Sequence, residues 1–170
     1  MSSYQQGKTE VKWLIARLVK KGARGLDVGA CDGAYWNLLH DLLDLDAVEI
    51  YEPNIERNDL VHKYGVVYNM DIKDLHYDHY DVVIFGDVIE HMTVEDAQAT
   101  LAYAQEHADL VIVAVPYTYK QGPIYGNPWE RHIQDDLTHE LFMQRYPGFK
   151  LQFGYPNYGY YISGVHGSSF

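Results

Sequence analysis

Cysteine is nearly absent: Cys31 is the single one in 170 residues, so no disulfide can form within the chain, as suits a reducing, cytoplasmic setting. Basic residues are scarce too. Thirteen Lys and Arg face 24 Asp and Glu, a formal net charge of −11, and no basic run exceeds Lys20-Lys21. Phosphate backbones are held mainly by Lys and Arg, so nucleic acid is not an expected partner. Long apolar runs are missing: the longest aliphatic stretch, 110–115, has six residues, against the roughly 20 that a membrane-spanning helix needs. Residues 1–10 are polar and lack the apolar core of a secretory signal, so no membrane partner is expected either. A small molecule is left as the leading class of ligand. Internal repeats and low-complexity tracts are also absent. Apolar surface is abundant, with 47% hydrophobic residues and 16 tyrosines, many of them late in the chain. A chain of this length buries about 70% of its unfolded surface as one domain, here 1–170.

Short apolar strands alternate with helical periods through the first two-thirds. Val11, Leu14, Ile15, Leu18 and Val19 recur at helical spacing, followed by Lys20, Lys21 and a stop at Gly22. Strands are expected at 25–29, 47–51, 66–70, 80–85 and 110–115. Helices are expected at 34–43, from Pro53 onward, and at 94–107 with Thr93 as its cap. The nearly unbroken apolar character of 80–85 marks a strand covered on both faces. This alternation implies right-handed crossovers and a parallel sheet flanked by helices. The rhythm stops at Pro116. Residues 116–136 contain Pro123 and Pro128 and no period, and a loop that long, leaving the carboxyl edge of a strand, is expected to form a lid over a ligand. A helix over 136–146 and two closing strands at 149–153 and 158–165 complete the chain.

The residues most suggestive of chemistry cluster at strand ends. Leu26-Asp27-Val28-Gly29-Ala30-Cys31-Asp32-Gly33 follows the first strand and opens a helix. Glycines there let the backbone approach a ligand and leave helix-start N–H groups facing it, although Gly29 and Gly33 also suit a plain tight turn. Glu52 ends the second expected strand, 19 residues past Gly33, where a carboxylate accepts hydrogen bonds from two ribose hydroxyls. Together these elements point to a nucleoside at the carboxyl edge of the sheet. His91, just past the fourth strand, and His132, in the long loop, are the imidazoles placed for proton transfer near neutral pH; packing or backbone hydrogen bonding is the alternative for each. His139-Glu140 begins like a zinc-protease helix, but Met143 stands where the second histidine is required, and no metal is expected. Cys31 has no basic neighbour in sequence to stabilise a thiolate. The carboxylates Asp41, Asp44 and Asp46, and the pair Asp135 and Asp136, read as solvated faces.

These segments resemble the class I S-adenosylmethionine-dependent methyltransferases over most of the chain. Leu26-Asp27-Val28-Gly29 with Gly33 is similar to the first motif of that family, Val48-Glu49-Ile50-Tyr51-Glu52-Pro53-Asn54 to the acidic second, and Met70-Asp71 to the third. Asp87-Val88-Ile89-Glu90-His91 after the fourth strand is the most specific likeness, and Val111-Ile112-Val113-Ala114-Val115-Pro116 resembles the fifth strand. The resemblance implies a mostly parallel seven-stranded sheet of order 3-2-1-4-5-7-6 with an antiparallel seventh strand. It also implies S-adenosylmethionine as cofactor, S-adenosylhomocysteine as product, and a cofactor site on Asp27, Gly29, Ala30, Cys31, Gly33, Glu52, Pro53, Asp71, Ile72, Gly86, Asp87 and Val88. Within that set Asp71 meets the adenine amino group, and Cys31 replaces a glycine usual in the first motif.

Asn127-Pro128-Trp129-Glu130-Arg131-His132 is similar to a loop of methyltransferases linked to sugar modification. A sugar or other hydroxyl compound is therefore the implied acceptor, with His91 and His132 as the implied catalytic groups. Asp27 and Asp87 suit a cationic ligand better than a pyrophosphate, which sets a nicotinamide oxidoreductase below methyl transfer. A module that holds S-adenosylmethionine or its product without catalysis is the nearer rival.

Overall fold

Apolar side chains alternate along the central strands, and the alternation builds two cores, one on each side of a single sheet. The computed structural model describes residues 5–164. Its elements are α1 (Lys8–Leu18), β1 (Ala23–Val28), α2 (Ala34–Leu39), β2 (Leu43–Val48), α3 (Glu52–Arg57), α4 (Leu60–Lys63), β3 (Val67–Tyr68), β4 (Tyr80–Gly86), α5 (Val94–His107), β5 (Ala108–Pro116), α6 (His139–Arg145), β6 (Lys150–Tyr155) and β7 (Tyr158–Gly164). Single 3₁₀ turns at Ile72–Asp74, Ile89–His91 and Pro128–Glu130 punctuate the connections.

The sheet order is β3-β2-β1-β4-β5-β7-β6. The first five strands of the chain pair in parallel, and β7 runs antiparallel to both β5 and β6. This is the class I methyltransferase fold. Leu26, Val83, Phe85, Val111 and Val113 face one core together with Ala97 and Leu101 of α5 and Phe142 of α6. Val82, Ile84, Ile112 and Ala114 face the other, against Val11, Leu14 and Ile15 of α1 and Leu39 of α2. Spacings of three and four residues bring the apolar side chains of α1 onto one stripe, as period 3.6 demands. Thr93 caps α5, its Oγ1 accepting the Asp96 N–H at 3.1 Å. Among the described residues no helix is long and apolar enough to cross a membrane.

Several expected boundaries move. The second strand begins at Leu43 and ends at Val48, four residues ahead of its expected start, because Leu43, Leu45 and Ala47 turn inward while Asp44 and Asp46 do not. Pairing with β1 sets that end, Val28 lying opposite Val48. Accordingly α2 stops at Leu39, and Thr138 starts α6 three residues later than expected by accepting the Leu141 N–H. Val165, the expected end of the last strand, lies outside the described residues. Of the carboxylates read as solvated, Asp41 and Asp136 are exposed and each also forms an ion pair, whereas Asp46 is half-buried and hydrogen-bonded. Asp46 accepts from the Tyr80 hydroxyl at 2.7 Å and the Val66 N–H at 2.9 Å, Asp41 pairs with Lys12 at 2.9 Å, and Asp136 pairs with Arg145 at 2.6 Å.

Candidate active site

β1 and β4 are neighbours whose following connections depart to opposite sides of the sheet, and this divergence opens a crevice at their carboxyl ends. The crevice is a cavity of about 550 Å³, ample for a nucleoside-sized ligand. Its floor is the turn after β1. Gly29, Cys31 and Gly33 all adopt left-handed backbone, with φ of 72°, 47° and 77°. Two glycines take that conformation freely, whereas the cysteine there costs roughly 1–2 kcal/mol. The strain is held by two contacts: the Cys31 N–H donates to Glu49 Oε2 and its carbonyl accepts from Asn58 Nδ2, both at 2.7 Å. Burial, and then the Glu49 carboxylate, push the Cys31 thiol up to about 12. Cys31 is therefore expected to resist iodoacetamide at pH 7.5 while reacting fully once the chain is unfolded in urea; alkylation at comparable rates in both states contradicts this burial.

The carboxylate on the rim is Glu49, three residues earlier than expected. Glu49 directly follows β2, is 3% exposed, and lines the cavity. Its Oε1 accepts the Tyr51 N–H at 2.8 Å while Oε2 accepts that of Cys31. The Asn54 side chain also donates to this carboxylate, whose remaining acceptor capacity is turned to the cavity. Glu52 and Pro53, by contrast, begin α3, are exposed, and do not line the cavity. With the strand ending at Val48, position 52 has already turned away from the crevice. Asp71 and Ile72 do line it, Asp71 Oδ1 also accepting the Lys73 N–H at 3.1 Å.

Two further acidic residues lie at and beneath the floor. Asp27 is 1% exposed and lies behind the lining, where Oδ2 accepts from the Tyr64 hydroxyl at 2.5 Å and Oδ1 has no hydrogen-bond partner. Burial pushes its carboxyl up to about 7 against the opposing pull of the Tyr64 hydrogen bond and Lys8. Asp87 lines the cavity in left-handed backbone, φ 56°, and accepts from the Tyr158 hydroxyl at 2.6 Å. Lys8 of α1, 6% exposed, stacks its ammonium 4.5 Å from the Tyr35 ring centroid and balances these acids from below.

The far end of the cavity is built from the turn after β4 and the long loop. Ile133 and Gln134 donate their N–H groups to the Glu90 carbonyl at 2.8 and 2.9 Å, and Gln134 Nε2 donates to the Ile89 carbonyl at 2.8 Å. These bonds bring His132 against His91, ring centroids 4.7 Å apart, with Tyr119 5.4 Å from His132. Burial, and then His132, hold His91 neutral, its value pushed down to about 4; burial lowers His132 as well. Tyr117, Tyr119, Trp129 and His132 of the long loop all line the cavity.

Of the residues singled out in the sequence, Gly29, Ala30, Cys31, Asp71, Ile72, Gly86, Asp87, Val88, His91 and His132 come together around one cavity. Gly33 shapes the entry to α2 beside it, Asp27 lies beneath it, and Glu52 and Pro53 fall outside. Sequence reasoning missed Glu49, Glu90, Lys8 and Tyr158. The alternation Leu43, Leu45, Ala47 is the signal that ends the strand early enough to select Glu49.

A family model described as methionine biosynthesis protein MetW matches residues 10–118. No curated protein matches the sequence. The N-terminal domain of EvdMO1, solved in the presence of S-adenosylhomocysteine and D-fucose, shares the fold with a TM-score of 0.70 at 14% identity, over 96% of this chain and 85% of that one. Magnesium protoporphyrin IX methyltransferase from Synechocystis PCC 6803, solved with S-adenosylmethionine, follows at 0.60 and 19% identity, over 94% of this chain and 79% of that one. Burkholderia thailandensis 1,6-didemethyltoxoflavin-N1-methyltransferase, solved with its namesake compound and S-adenosylhomocysteine, gives 0.64 at 18% identity, over 92% and 77%. At these identities the likeness is one of fold. With well over half of its length matched by the family model, the chain belongs to the MetW family.

Proposed function

We propose that the chain is an S-adenosylmethionine-dependent methyltransferase that acts on a small-molecule hydroxyl compound, with sugars as the leading class of acceptor. The observation that carries this reading is the buried Glu49 carboxylate on the cavity rim, both oxygens pinned by backbone N–H groups and the remaining acceptor capacity turned to where ribose hydroxyls would lie. Asp71 and Ile72 flank the place of an adenine, and Gly29, Ala30 and Cys31 let the rest of the donor lie close to backbone. Asp27 and Asp87 set negative charge beneath a donor that carries a cationic sulfonium. The donor supplies an already activated methyl group, so the protein's own work is to bind, orient and exclude water. The structural neighbours crystallised with S-adenosylmethionine or its product support the choice of cofactor. The D-fucose present with one of them agrees with a sugar acceptor.

Residues 116–136 close over the acceptor end. Their backbone is fastened to the turn after β4, and they offer Tyr117, Tyr119 and Trp129 as flat faces and His132 as a neutral imidazole whose lone pair meets a hydroxyl. His91 stands behind it. Trp129→Ala and His132→Ala are expected to lower acceptor turnover at least tenfold while leaving S-adenosylhomocysteine affinity within about 0.5 kcal/mol. The direct assay is transfer of labelled methyl from S-adenosylmethionine to a panel of hydroxyl compounds. Tight S-adenosylhomocysteine binding with no transfer to any acceptor would favour the non-catalytic binding module. In this reading the protein works in the cytoplasm without nucleic acid partners, consistent with its acidic charge.

A further inference from the structure

We infer that Glu90, His91 and His132 form a divalent-cation site at the loop end of the cavity. Glu90 is 1% exposed, lines the cavity, and neither of its carboxylate oxygens has a hydrogen-bond partner. Buried carboxylates are ordinarily hydrogen-bonded, paired or bound to a metal; one without a partner takes up a proton, as burial and then Asp87 favour for Glu90, unless a water or a cation satisfies it. Among the described residues its ion-pairing neighbour is an imidazole that the site holds neutral: His91 Nε2 stands 3.9 Å from Glu90 Oε1.

The two histidines are already oriented as ligands. His91 Nδ1 lies 3.1 Å from the Arg131 carbonyl and His132 Nδ1 lies 2.7 Å from the Tyr119 carbonyl. A carbonyl only accepts, so each Nδ1 carries the proton and each Nε2 keeps its lone pair. An imidazole whose other nitrogen donates to a backbone carbonyl is the usual form of a metal-bound histidine. One ligand atom from each of the three residues lies within 4.8 Å of the others. Ligand atoms around an ion at about 2.1 Å sit roughly 3.0–3.4 Å apart, so a side as long as 4.8 Å has to shorten by about 1.4–1.8 Å. His132 is on a half-buried loop position and supplies that movement. The backbone bonds from Ile133 and Gln134 to the Glu90 carbonyl keep the loop beside Glu90 before any ion arrives.

Two imidazole nitrogens with one carboxylate oxygen, and no thiolate, suit zinc or another first-row divalent ion better than calcium or magnesium. Three protein ligands leave the remaining coordination positions facing the cavity. The site is separable from cofactor binding, because none of its ligands lies among the residues assigned to the cofactor; His91 and His132 are also the imidazoles proposed at the acceptor end, and there a bound ion takes the His132 lone pair and meets the acceptor hydroxyl in its place. The other cluster of potential ligands among the described residues is His79, Asp81 and Asp109. There Asp81 already accepts the Arg24 N–H at 2.7 Å and the other two residues are exposed, so it serves as the control.

The test is titration of the chelator-stripped, full-length protein with Zn²⁺ by calorimetry and with Mn²⁺ by electron paramagnetic resonance, alongside S-adenosylhomocysteine binding. One ion per chain is expected. Glu90→Gln and His132→Ala should each weaken it roughly tenfold or more, with Asp109→Ala unchanged. S-adenosylhomocysteine affinity retained in all three variants shows that they are folded and separates this site from the cofactor assignment. His132→Ala, at a half-buried loop position, keeps the test decisive if Glu90→Gln does not fold. Failure to bind either ion at millimolar concentration overturns the inference, as does equal binding by the two ligand variants or loss of the ion in Asp109→Ala.

Discussion

Glu49→Ala is expected to weaken S-adenosylhomocysteine binding about a hundredfold, whereas Glu52→Ala leaves it unchanged. The alanine removes the acceptor of two ribose hydroxyls and strands the Cys31 and Tyr51 N–H groups, which the carboxylate now satisfies at 2.7 and 2.8 Å. A buried donor left without a partner costs about 1–3 kcal/mol, and about 3 kcal/mol in binding is roughly a hundredfold in Kd. Glu49→Gln keeps one acceptor oxygen and is expected to fall between the two. Glu52, exposed at the start of α3, has only solvent to lose. Calorimetric titration of the three variants checks the order. Equal loss from Glu49→Ala and Glu52→Ala, or greater loss from Glu52→Ala, removes Glu49 from the ribose.

Asp27→Asn is expected to stabilise the ligand-free protein above pH 7 and to flatten its pH dependence. In the folded chain burial raises the Asp27 carboxyl from 3.8 to about 7. Between those values the folded state binds a proton that the unfolded chain releases. The stabilising contribution is thus fully present below about pH 3.8 and disappears as pH rises through 7. A difference of that size corresponds to about 4 kcal/mol. Asparagine carries no charge and still offers the Tyr64 hydroxyl an oxygen, so its stability does not follow that slope. For a domain of this length about 4 kcal/mol moves Tm by on the order of 10 °C. Urea unfolding at pH 5 and pH 8 measures it. The parent should lose stability between the two more steeply than Asp27→Asn, and identical slopes would show that Asp27 is ionised and well solvated by the fold. A cationic ligand above this carboxylate recovers part of the cost, which links the instability of the empty floor to its affinity for a sulfonium donor.

The legible parts of the fold were those fixed by local pattern. The strand at Tyr80–Gly86 and the helix at Val94–His107 follow from an unbroken apolar run and from a Thr cap before a 3.6 period. The glycine turn after β1 was equally plain, because left-handed backbone at Gly29 and Gly33 needs that residue type. The end of β2 was not. It depends on which residue of β2 pairs with Val28 of β1, a contact across 20 residues of sequence, and an error of a few residues there exchanges Glu49 for Glu52. Glu90 was overlooked for a related reason: a glutamate beside a histidine in a turn reads as solvated until the loop from Pro116 folds back and Ile133 and Gln134 bond to its carbonyl. Lys8 and Tyr158 reach the floor from opposite ends of the chain, and no local pattern announces either.

The most direct test of the methyl-donor site is a crystal structure of the protein with S-adenosylhomocysteine. Both ribose hydroxyls should lie within hydrogen-bonding distance of the Glu49 carboxylate, with the adenine beside Asp71 and Ile72, and with the sulfur over Asp87 and directed toward the His91 and His132 end of the cavity. A ligand bound outside the crevice between β1 and β4, or a ribose held by Glu52 with Glu49 untouched, would contradict the account.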